Sequence, residues 1–339
     1  MDLELAIIVL NYRTAQLTAD CLDSLRAEIT PRIRVLVVDN ASRDGSAERI
    51  EAHIAARDFG AWARVLRSPI NGGFAAGNNL GIREVSARAY MLLNSDTLVR
   101  PGAVRELLRV SQERPDVGMV GPSFVDGGGH PLDSCFTFPH PMSELLRSAN
   151  TGLVTRALRR FETPARHGDS PLEPDWMPFA CVVIRREVID VVGLLDDGYF
   201  MYFEDVDYCL KLRAAGWTLL YWPNACVVHL VGGSSDVTAK GAARKRAPRY
   251  YYEARARFFT KHFGPGGMLL ANAAWMAGRT VSLGRQLLLR TPPPVREHEG
   301  VDIWRDVLHP FRPSRSLHAA QTGSQSGSRS PSDASPHTM

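Results

Sequence analysis

Acidic side chains directly follow apolar segments of the chain, where they could bind a ligand or a cation. Asp39 follows the apolar run 33–38, and Asp96 follows the run 89–93 after a short polar turn. A carboxylate at the end of a strand can accept hydrogen bonds from a pyrimidine N–H or a ribose hydroxyl, and it can hold a divalent cation. Alternatively, each residue only orders its loop, Asp39 through an Asx-turn and Asp96 as a cap ahead of Pro101. We favour ligand binding for Asp39 and leave both interpretations open for Asp96.

A second acidic cluster is packed among aromatic residues. Glu204, Asp205 and Asp207 lie within four positions, and the preceding segment holds four aromatic side chains: Tyr199, Phe200, Tyr202 and Phe203. Crowded carboxylates repel one another unless a cation or a proton-transfer role compensates. Asp205 is therefore predicted as a general base. An acidic helix N-terminus would also explain the charges, but it would not explain the aromatic side chains.

Two other segments have the chemistry of a diphosphate site. The glycine-rich stretch 71–79 would let the backbone approach a ligand, and the helix that follows would favour an anion. It matches neither GxGxxG nor the P-loop pattern, so alone it is a weak signal. His229 precedes a Gly-Gly-Ser-Ser segment and the basic run 244–246. Imidazole with cationic side chains suits a metal-bound diphosphate, although a single histidine is more often a core or loop residue.

Alternating strands and helices would position these residues. Strands are predicted at 5–10, 33–38, 63–66, 89–93 and 117–120, with helical spacing between them. This order predicts an α/β fold with a Rossmann-like, mainly parallel, doubly wound sheet, which binds ligands at the carboxyl ends of its strands. Residues 121–175 are predicted as a loop-rich insertion. Further regular segments are predicted at 181–184, from 186, at 206–215 and at 250–290.

The charge distribution narrows the class of protein. The 339 residues have a formal net charge of +4. Residues 1–235 hold 24 Lys/Arg and 29 Asp/Glu, whereas residues 236–316 hold 15 and 6. An acidic body joined to a basic segment argues against a nucleic-acid binder. The five cysteines are odd in number and form no CxxC pair, which argues against a zinc site or a disulfide framework. With no leader pattern and no run of ~18 apolar residues, a cytoplasmic protein is expected.

Taken together and in order, the motifs resemble the family 2 inverting glycosyltransferases of the GT-A fold. The resemblance is greatest to the bacterial rhamnosyltransferase-like branch and covers roughly residues 5–235. The matching segments are IIVLNYR, VVDNASRDGS, NGGFAAGNN, LLNSDT, GLLDDGYFMYFEDVDYCLKLRAAGW and HLVGGSS.

The resemblance implies a role for each matching residue. Asp205 corresponds to the catalytic base, and Tyr202, Glu204 and Asp207 are assigned to the acceptor side. Asp96 and His229 correspond to ligands of Mg²⁺ or Mn²⁺; the first position of the family's D-x-D motif is Asn94, so this motif supplies one carboxylate. The residues implied in donor binding are Leu10, Asn11, Asp39, Asn71, Gly73, Asn78, Asn94 and Ser95.

The expected reaction is sugar transfer from a nucleotide-diphospho-sugar, with dTDP-L-rhamnose as the best candidate. The acceptor is expected to be a saccharide that is lipid-linked through a polyprenyl diphosphate, in cell-wall or surface polysaccharide synthesis. A UDP-hexose transferase of the same fold and a non-catalytic membrane-associated assembly factor are the alternatives. A nucleotidyltransferase is disfavoured because residues 11–20 hold no Gly-rich triphosphate loop.

Three regions are expected along the chain. Residues 1–235 form the GT-A catalytic domain, residues 236–290 a basic, amphipathic helical extension, and residues 291–339 a Pro/Ser-rich disordered tail. Within the extension, 250–262 is expected to cap the catalytic domain. The helix at 268–289 is expected to lie on an anionic membrane surface, which would make the protein peripheral on the inner face of the plasma membrane.

Overall fold

The protein is built around a central sheet, and several of the predicted site residues lie at the carboxyl ends of its strands. The computed structural model describes residues 3–163, 165–166, 168–230, 245–290 and 295–312. Within these residues, nine strands form one sheet. They are β1 (Leu3–Asn11), β2 (Ile33–Asp39), β3 (Ala63–Arg67), β4 (Ala87–Asn94), β5 (Thr97–Val99), β6 (Val117–Val125), β7 (Pro131–Leu132), β10 (Cys181–Arg185) and β11 (Thr218–His229). A separate pair is formed by β8 (Cys135–Phe136) and β9 (Ala165–Arg166).

Helices cover both faces of this sheet. Those of the described residues are α1 (Ala15–Leu25), α2 (Ser46–Ala56), α3 (Gly73–Glu84), α4 (Ala103–Glu113), α5 (Ser143–Ala149), α6 (Gly152–Ala157), α7 (Arg186–Val192), α8 (Glu204–Ala214), α9 (Arg249–Leu289) and α10 (Glu299–Asp302). Single 3₁₀ turns lie at Arg26–Glu28 and Arg159–Phe161.

The sheet is mostly parallel, as predicted. Its order is β3-β2-β1-β4-β10-β6-β11-β5, with β7 beside β6. Strands β1 to β4 run parallel, and β11 runs parallel to β6. Strand β10 is antiparallel to both of its neighbours, and β5 and β7 are also antiparallel. Because β1, β2 and β4 are buried on both faces, each is continuously apolar between its second residue, which is Glu4, Arg34 or Arg88, and its last, rather than alternating.

Glycines let α3 press closely against this sheet. A Cβ on Gly77 would lie 2.4 Å from Leu10 Cδ1, and one on Gly81 would lie 2.6 Å from Ile8 Cγ2. Part of the glycine-rich motif therefore serves helix–sheet packing. This contact also fixes Leu10, which was predicted beside the donor, against the helix.

The sequence-based prediction omitted two strands and underestimated the insertion. The antiparallel partners β5 and β11 were not predicted, because Pro223 and Asn224 interrupt the apolar pattern where β11 carries a register shift. The insertion expected to be loop-rich contains the end of β6 as well as β7, β8, β9, α5 and α6. Residues 295–312 correct the expected disordered tail: Glu299, Asp302 and Ile303 are buried against the rest of the protein. Residues 313–339 lie outside the described residues.

The long helix α9 divides at Gly264, whose φ of 70° and ψ of 175° are not helical. We call residues 249–263 its N-terminal half and residues 265–289 its C-terminal half. The helix packs on α5, where the fully buried Arg255 bonds to Glu144 at 3.0 Å. Contacts of this kind cross the domain boundary expected at residue 235. No helix within the described ranges combines the length and apolarity needed to cross a membrane.

Candidate active site

Strands β1 and β2 bring Asn11 and Asp39 side by side at their carboxyl ends. The two residues are register partners, and Asn11 Nδ2 donates to Asp39 Oδ1 at 2.7 Å. Ser42 donates to the same carboxylate from its hydroxyl (2.5 Å) and its backbone N–H (3.1 Å). Asp39 thus does form the Asx-type loop contact considered above. Because a carboxylate offers about four lone-pair positions, it retains the capacity to accept from a ligand as well.

Asn40, which the sequence analysis did not single out, holds the glycine-rich loop at this edge. Its amide donates to Asn71 Oδ1 (2.9 Å) and to the carbonyl of Gly73 (3.0 Å), and it accepts from Gly72 N–H. Asn71 also accepts from Gly73 N–H, so its side chain orders the loop. Asn78 is buried inside α3 and donates to Phe74 O at 3.0 Å. The contacts of Asn71 and Asn78 therefore support the loop and the helix rather than marking a donor contact.

Gly73 joins the glycine-rich loop to the segment that precedes Asp205. Its φ is +81°, and a Cβ here would lie 2.0 Å from the carbonyl oxygen of Phe200. The next residue, Phe74, donates its N–H to that same oxygen at 2.7 Å. Only glycine fits such a close approach with this backbone conformation. The loop predicted to hold the donor and the segment predicted to face the acceptor are consequently in direct contact.

The third strand end brings Asp96 next to His229. Strand β5 pairs antiparallel with the end of β11, which places Thr97 opposite His229. Asp96 is almost fully buried, and its Oδ1 lies 3.5 Å from His229 Nε2. Ser95, from the same turn, bonds to Thr14 at 2.9 Å, and Asn94 lies opposite Leu10 in the β1–β4 register. The structure thus brings the predicted ligand pair together.

Asp96 and His229 fit a metal that is shared with a substrate. Among the described residues, no group of three or more His, Cys, Asp or Glu side chains is placed to enclose an ion. A carboxylate and an imidazole leave most of an octahedral shell for water and phosphate oxygens, which is how Mg²⁺ commonly binds beside phosphorylated substrates. The two side chains therefore suit a cation that is shared between the protein and a phosphorylated substrate. The cation itself stays a prediction.

A strained turn presents Asp205 at the start of α8. Tyr202 and Phe203 have φ values of 73° and 67°, which are unusual for residues with large side chains. Consecutive left-handed residues are costly and tend to occur at functional sites. The turn places Glu204 and Asp205 in the first turn of the helix, where the helix dipole favours negative charge.

Burial changes the proton affinity of this acidic pair. Removal from water raises the pKa of Asp205 to about 6, although its own backbone N–H and that of Val206 oppose the rise. Burial, followed by repulsion from Asp205, raises the pKa of Glu204 well above its usual range. A carboxylate with a pKa near 6 is ionised at neutral pH yet holds a proton far better than a free aspartate does. Asp205 has the properties of a general base.

Asp205 lines a cavity of about 470 Å³. Aromatic side chains form much of the wall, including Tyr202, Phe203, Tyr251 and the stacked pair Phe136 and Trp176, whose ring centroids are 4.5 Å apart. Glu144 and Arg147 supply charge on the lining. An apolar pocket with a few polar groups and one perturbed carboxylate is the usual form of a binding site. Tyr202, which was predicted on the acceptor side, lies in the wall of this cavity together with Asp205.

Asp207 was predicted on the acceptor side, but it is buried against α9. It is fully buried and does not line this cavity. Its carboxylate accepts from Lys261 and from His262, each at 2.7 Å. Burial alone would raise the pKa of Asp207, but these bonds lower it. The acceptor-side assignment of Asp207 is corrected to that of an anchor for α9.

Asp196 forms a second anchor for the same helix. Arg257 lies 2.8 Å and Lys261 2.7 Å from its carboxylate. Although burial would raise its pKa, these two cations bring the pKa of Asp196 down to about 2. Tyr199, the first of the four aromatic residues that precede Glu204, is fully buried beneath Arg257 and Lys261 and does not line the cavity. The N-terminal half of α9 is therefore anchored to the segment that carries Asp196, Tyr199 and Asp207, on either side of Asp205.

Two family models match the chain across these elements. The model of Glycosyl transferase family 2 matches residues 6–156, and that of Glycosyl transferase family group 2 matches residues 91–291. The second model spans all of α8 and α9. The chain belongs to glycosyltransferase family 2. The resemblance inferred from the motifs is thereby confirmed.

Relatives of this glycosyltransferase include proteins named for rhamnosyl and hexosyl transfer. It is 27% identical over 241 residues to the N-acetylglucosaminyl-diphospho-decaprenol L-rhamnosyltransferase of Mycobacterium tuberculosis, which covers 66% of this chain and 75% of the relative. It is 26% identical over 216 residues to the low-salt glycan biosynthesis hexosyltransferase Agl10 of Haloferax volcanii, covering 62% of each.

The glycosyltransferase also shares its fold with a solved mannosyltransferase. PcManGT from Pyrobaculum calidifontis, determined with GDP-Man and Mn²⁺, superposes with a TM-score of 0.54 at 16% identity, over 95% of this chain and 86% of that one. The GT-A fold expected from the sequence is therefore confirmed.

The glycosyltransferase site contains residues that sequence reasoning missed. Asn40 lies within the segment VVDNASRDGS but was given no role there, and the α9 residues Arg257, Lys261 and His262 lie outside every matching segment. The spacing of Tyr250–His262 did predict a helix covering the catalytic domain. What could have identified its partners is charge: residues 254–262 contain three Lys/Arg and no Asp/Glu, and cations buried in a protein are usually paired with carboxylates.

Proposed function

We propose that this glycosyltransferase moves L-rhamnose from dTDP-L-rhamnose to a lipid-linked saccharide, with inversion at the anomeric carbon. One observation carries the catalytic part of the proposal. Asp205, a partly buried carboxylate with a pKa of about 6, lines an aromatic cavity. The segment that precedes Asp205 contacts the glycine-rich loop at Gly73. This is the combination that transfer to a hydroxyl group needs: a base, an acceptor pocket and an adjacent donor loop.

In this mechanism Asp205 takes the proton of an acceptor hydroxyl in the cavity. The acceptor oxygen forms a bond to the anomeric carbon on the face opposite the diphosphate, and the bond from that carbon to the leaving oxygen breaks. Tyr202 and Phe203 hold the acceptor sugar against their rings, and the aromatic wall excludes water that would otherwise hydrolyse the donor.

Asp39 and Asn11 bind the nucleoside of the donor in this proposal. Their hydrogen-bonded carboxylate and amide face the strand edge where the nucleobase and ribose would lie. Gly73 lets the backbone of the glycine-rich loop approach the diphosphate. Asp96 and His229 would hold Mg²⁺ or Mn²⁺, which supplies positive charge to the leaving diphosphate when bound.

The names of the relatives support rhamnose, with a hexose as the second candidate. The Mycobacterium tuberculosis relative and the dTDP-rhamnosyl transferase RfbF of Shigella flexneri, 23% identical over 192 residues, are both named for rhamnosyl transfer. The Haloferax volcanii relative is named a hexosyltransferase, which favours a UDP-hexose as the alternative donor.

The same proposal gives the enzyme a polyprenyl-diphosphate-linked acceptor, an anionic membrane surface as partner, and a cytoplasmic, peripheral location. The name of the Mycobacterium tuberculosis relative, which refers to a diphospho-decaprenol, supports the lipid linkage. A role as a non-catalytic assembly factor is disfavoured, because the Asp205 carboxylate, the Asp39–Asn11 pair and the Asp96–His229 pair are all assembled.

A donor screen tests this proposal directly. The purified protein is mixed with dTDP-L-rhamnose, UDP-glucose, UDP-galactose or GDP-mannose and Mn²⁺, and donor binding and slow donor hydrolysis are measured. We expect dTDP-L-rhamnose to bind at least tenfold more tightly than the others. Preference for a UDP-hexose would support the second candidate. Absence of binding and hydrolysis with every donor would contradict the assignment as a transferase.

A further inference from the structure

The C-terminal half of α9 exposes an apolar face to solvent. Six side chains at helical spacing form a stripe along it: Leu269, Ala273, Met276, Thr280, Leu283 and Leu287. Among the exposed residues of 265–289, none carries a charge. The stripe spans 18 positions, or about 27 Å at 1.5 Å per residue. We call this surface the outer face of α9.

Both sides of this half of the helix are therefore apolar, which is unusual for a surface helix. The inner side packs on the protein through Met268, Ala271 and Trp275, all of which are buried. On the outer face, Leu287 and Leu288 are each 84% exposed. Exposed apolar surfaces this extensive mark a contact with a protein partner or with lipid.

The segment 301–311 adds to the apolar surface. It exposes Val301, Trp304, Leu308 and Phe311, and Leu308 is 87% exposed. Asn272 anchors this segment to α9 by donating to the carbonyl of Ile303 at 3.0 Å. An exposed tryptophan beside leucines is typical of the boundary between lipid headgroups and acyl chains.

Charge identifies the occupant. Arg279 and Arg285 are half-buried beside the outer face, where Arg279 donates to Ser282 Oγ and Arg285 to the carbonyl oxygen of Asn150, and the exposed Arg290 follows the helix; no ion pair among the described residues involves these three arginines. Residues 254–296 contain no carboxylate at all. In a symmetric dimer the same surface meets itself, so the arginines at its edges would gather positive charge around the contact, and residues 254–296 offer no carboxylate to offset it. An anionic lipid surface supplies the missing charge.

The chain's own segments are poor candidates for covering this face. Residues 313–339 include only Leu317 and Met339 as large apolar residues, and residues 231–244 include only two valines. Neither segment offers the apolar area that a stripe of leucines would bury.

We propose that the outer face of α9 lies in the interfacial region of an anionic bilayer, with the axis of the C-terminal half parallel to the membrane. Contact is made chiefly by apolar side chains. The basic residues of the N-terminal half do not take part, because Arg255, Arg257 and Lys261 are paired with carboxylates inside the protein. The biological purpose of this contact rests on the proposed function, since it brings the helix that anchors α8 to the surface holding a lipid-linked acceptor.

The test is flotation of the full chain with vesicles of phosphatidylcholine alone or of equal parts phosphatidylcholine and phosphatidylglycerol. The variant Leu283→Glu/Leu287→Glu places two carboxylates on the outer face. The matched control Ala55→Glu/Ala56→Glu adds the same charge at the exposed end of α2. We expect the wild type and the control to float with the anionic vesicles, and the Leu283→Glu/Leu287→Glu variant to bind at least tenfold less.

Two results would overturn the proposal. One is a wild type that does not float with anionic vesicles. The other is a wild type that sediments as a dimer in solution while Leu283→Glu/Leu287→Glu sediments as a monomer, which would assign the face to a second copy. Donor hydrolysis in water is recorded for all four proteins, including a Leu308→Glu variant expected to bind vesicles more weakly. A wild type that floats with anionic vesicles but does not hydrolyse any donor would contradict the proposed function and leave the membrane docking intact.

Discussion

His262 Nε2 lies 2.7 Å from Oδ1 of Asp207, two residues beyond Asp205. This contact joins the N-terminal half of α9 to the helix that carries the general base. Lys261 extends the connection by bonding to both Asp207 and Asp196. The orientation of Asp205 therefore depends on residues more than fifty positions further along the chain.

Removal of the Lys261 ammonium should slow turnover without weakening donor binding. In Lys261→Met the buried Asp207 keeps His262 but loses a charged hydrogen bond, a change worth about 2 kcal/mol of folding stability. We expect kcat to fall about tenfold because α8 is less firmly held, while the donor Kd stays within twofold. The control Lys245→Met removes an exposed lysine and should leave both values unchanged. An unaltered kcat in Lys261→Met would refute a positioning role.

Gly73→Ala should weaken donor binding by more than the strain of a positive φ alone would cause. The added Cβ would collide with the Phe200 carbonyl at 2.0 Å, so the loop or the turn before Asp205 must shift. Gly102→Ala is the matched control, because its φ of +86° is similar but nothing lies within 4 Å of its added Cβ. Both variants should lose about 1 kcal/mol from backbone strain. We expect only Gly73→Ala to weaken donor binding, by at least tenfold in calorimetry.

A divalent cation should be required, and His229 should set its affinity. We expect EDTA to abolish transfer and Mn²⁺ to restore it. In His229→Asn the Mn²⁺ concentration for half-maximal activity should rise at least tenfold, because one of the two protein ligands is lost. The control His53→Asn changes a histidine paired with Asp23 on the surface and should behave as wild type. Full activity in EDTA would contradict the predicted cation.

The pH profile of kcat/KM should report Asp205. Burial raises its pKa to about 6, and only the ionised form accepts a proton, so activity is retained above pH 6 and lost below it. We expect kcat/KM to fall about tenfold per pH unit on the acid side. The donor Kd, measured over the same pH range, should not change in parallel with this fall in kcat/KM. A profile that stays flat down to pH 4.5 would contradict the role.

Much of the fold and of the strand-end residues could be predicted, because local pattern determines them. Strands β1, β2 and β4 are buried on both faces and read as uninterrupted apolar runs, so the polar residues that follow them mark the sheet edge. Asp39 and Asp96 were found in this way. The motif order then supplied the family.

The supporting contacts could not be predicted, since they join distant segments. Nothing local in Asp207 distinguishes a carboxylate facing an acceptor from one bonded to Lys261, 54 positions away. The same holds for Asn40, whose amide reaches the glycine-rich loop across 31 residues. Residues 295–312 were included in the Pro/Ser-rich tail because they follow the prolines at 292–294, yet Ile303 packs with Trp275 in a small core.

The variant Asp205→Asn shows whether Asp205 is the general base of the reaction. The amide keeps the size of the side chain but does not accept the proton. Transfer to an acceptor and the Kd of the donor nucleotide-sugar are measured together, with Asp197→Asn as control because Asp197 is an exposed neighbouring carboxylate. We predict that Asp205→Asn loses at least a thousandfold in kcat with donor Kd within threefold of wild type, whereas Asp197→Asn retains activity. Turnover near the wild-type rate in Asp205→Asn would contradict the account.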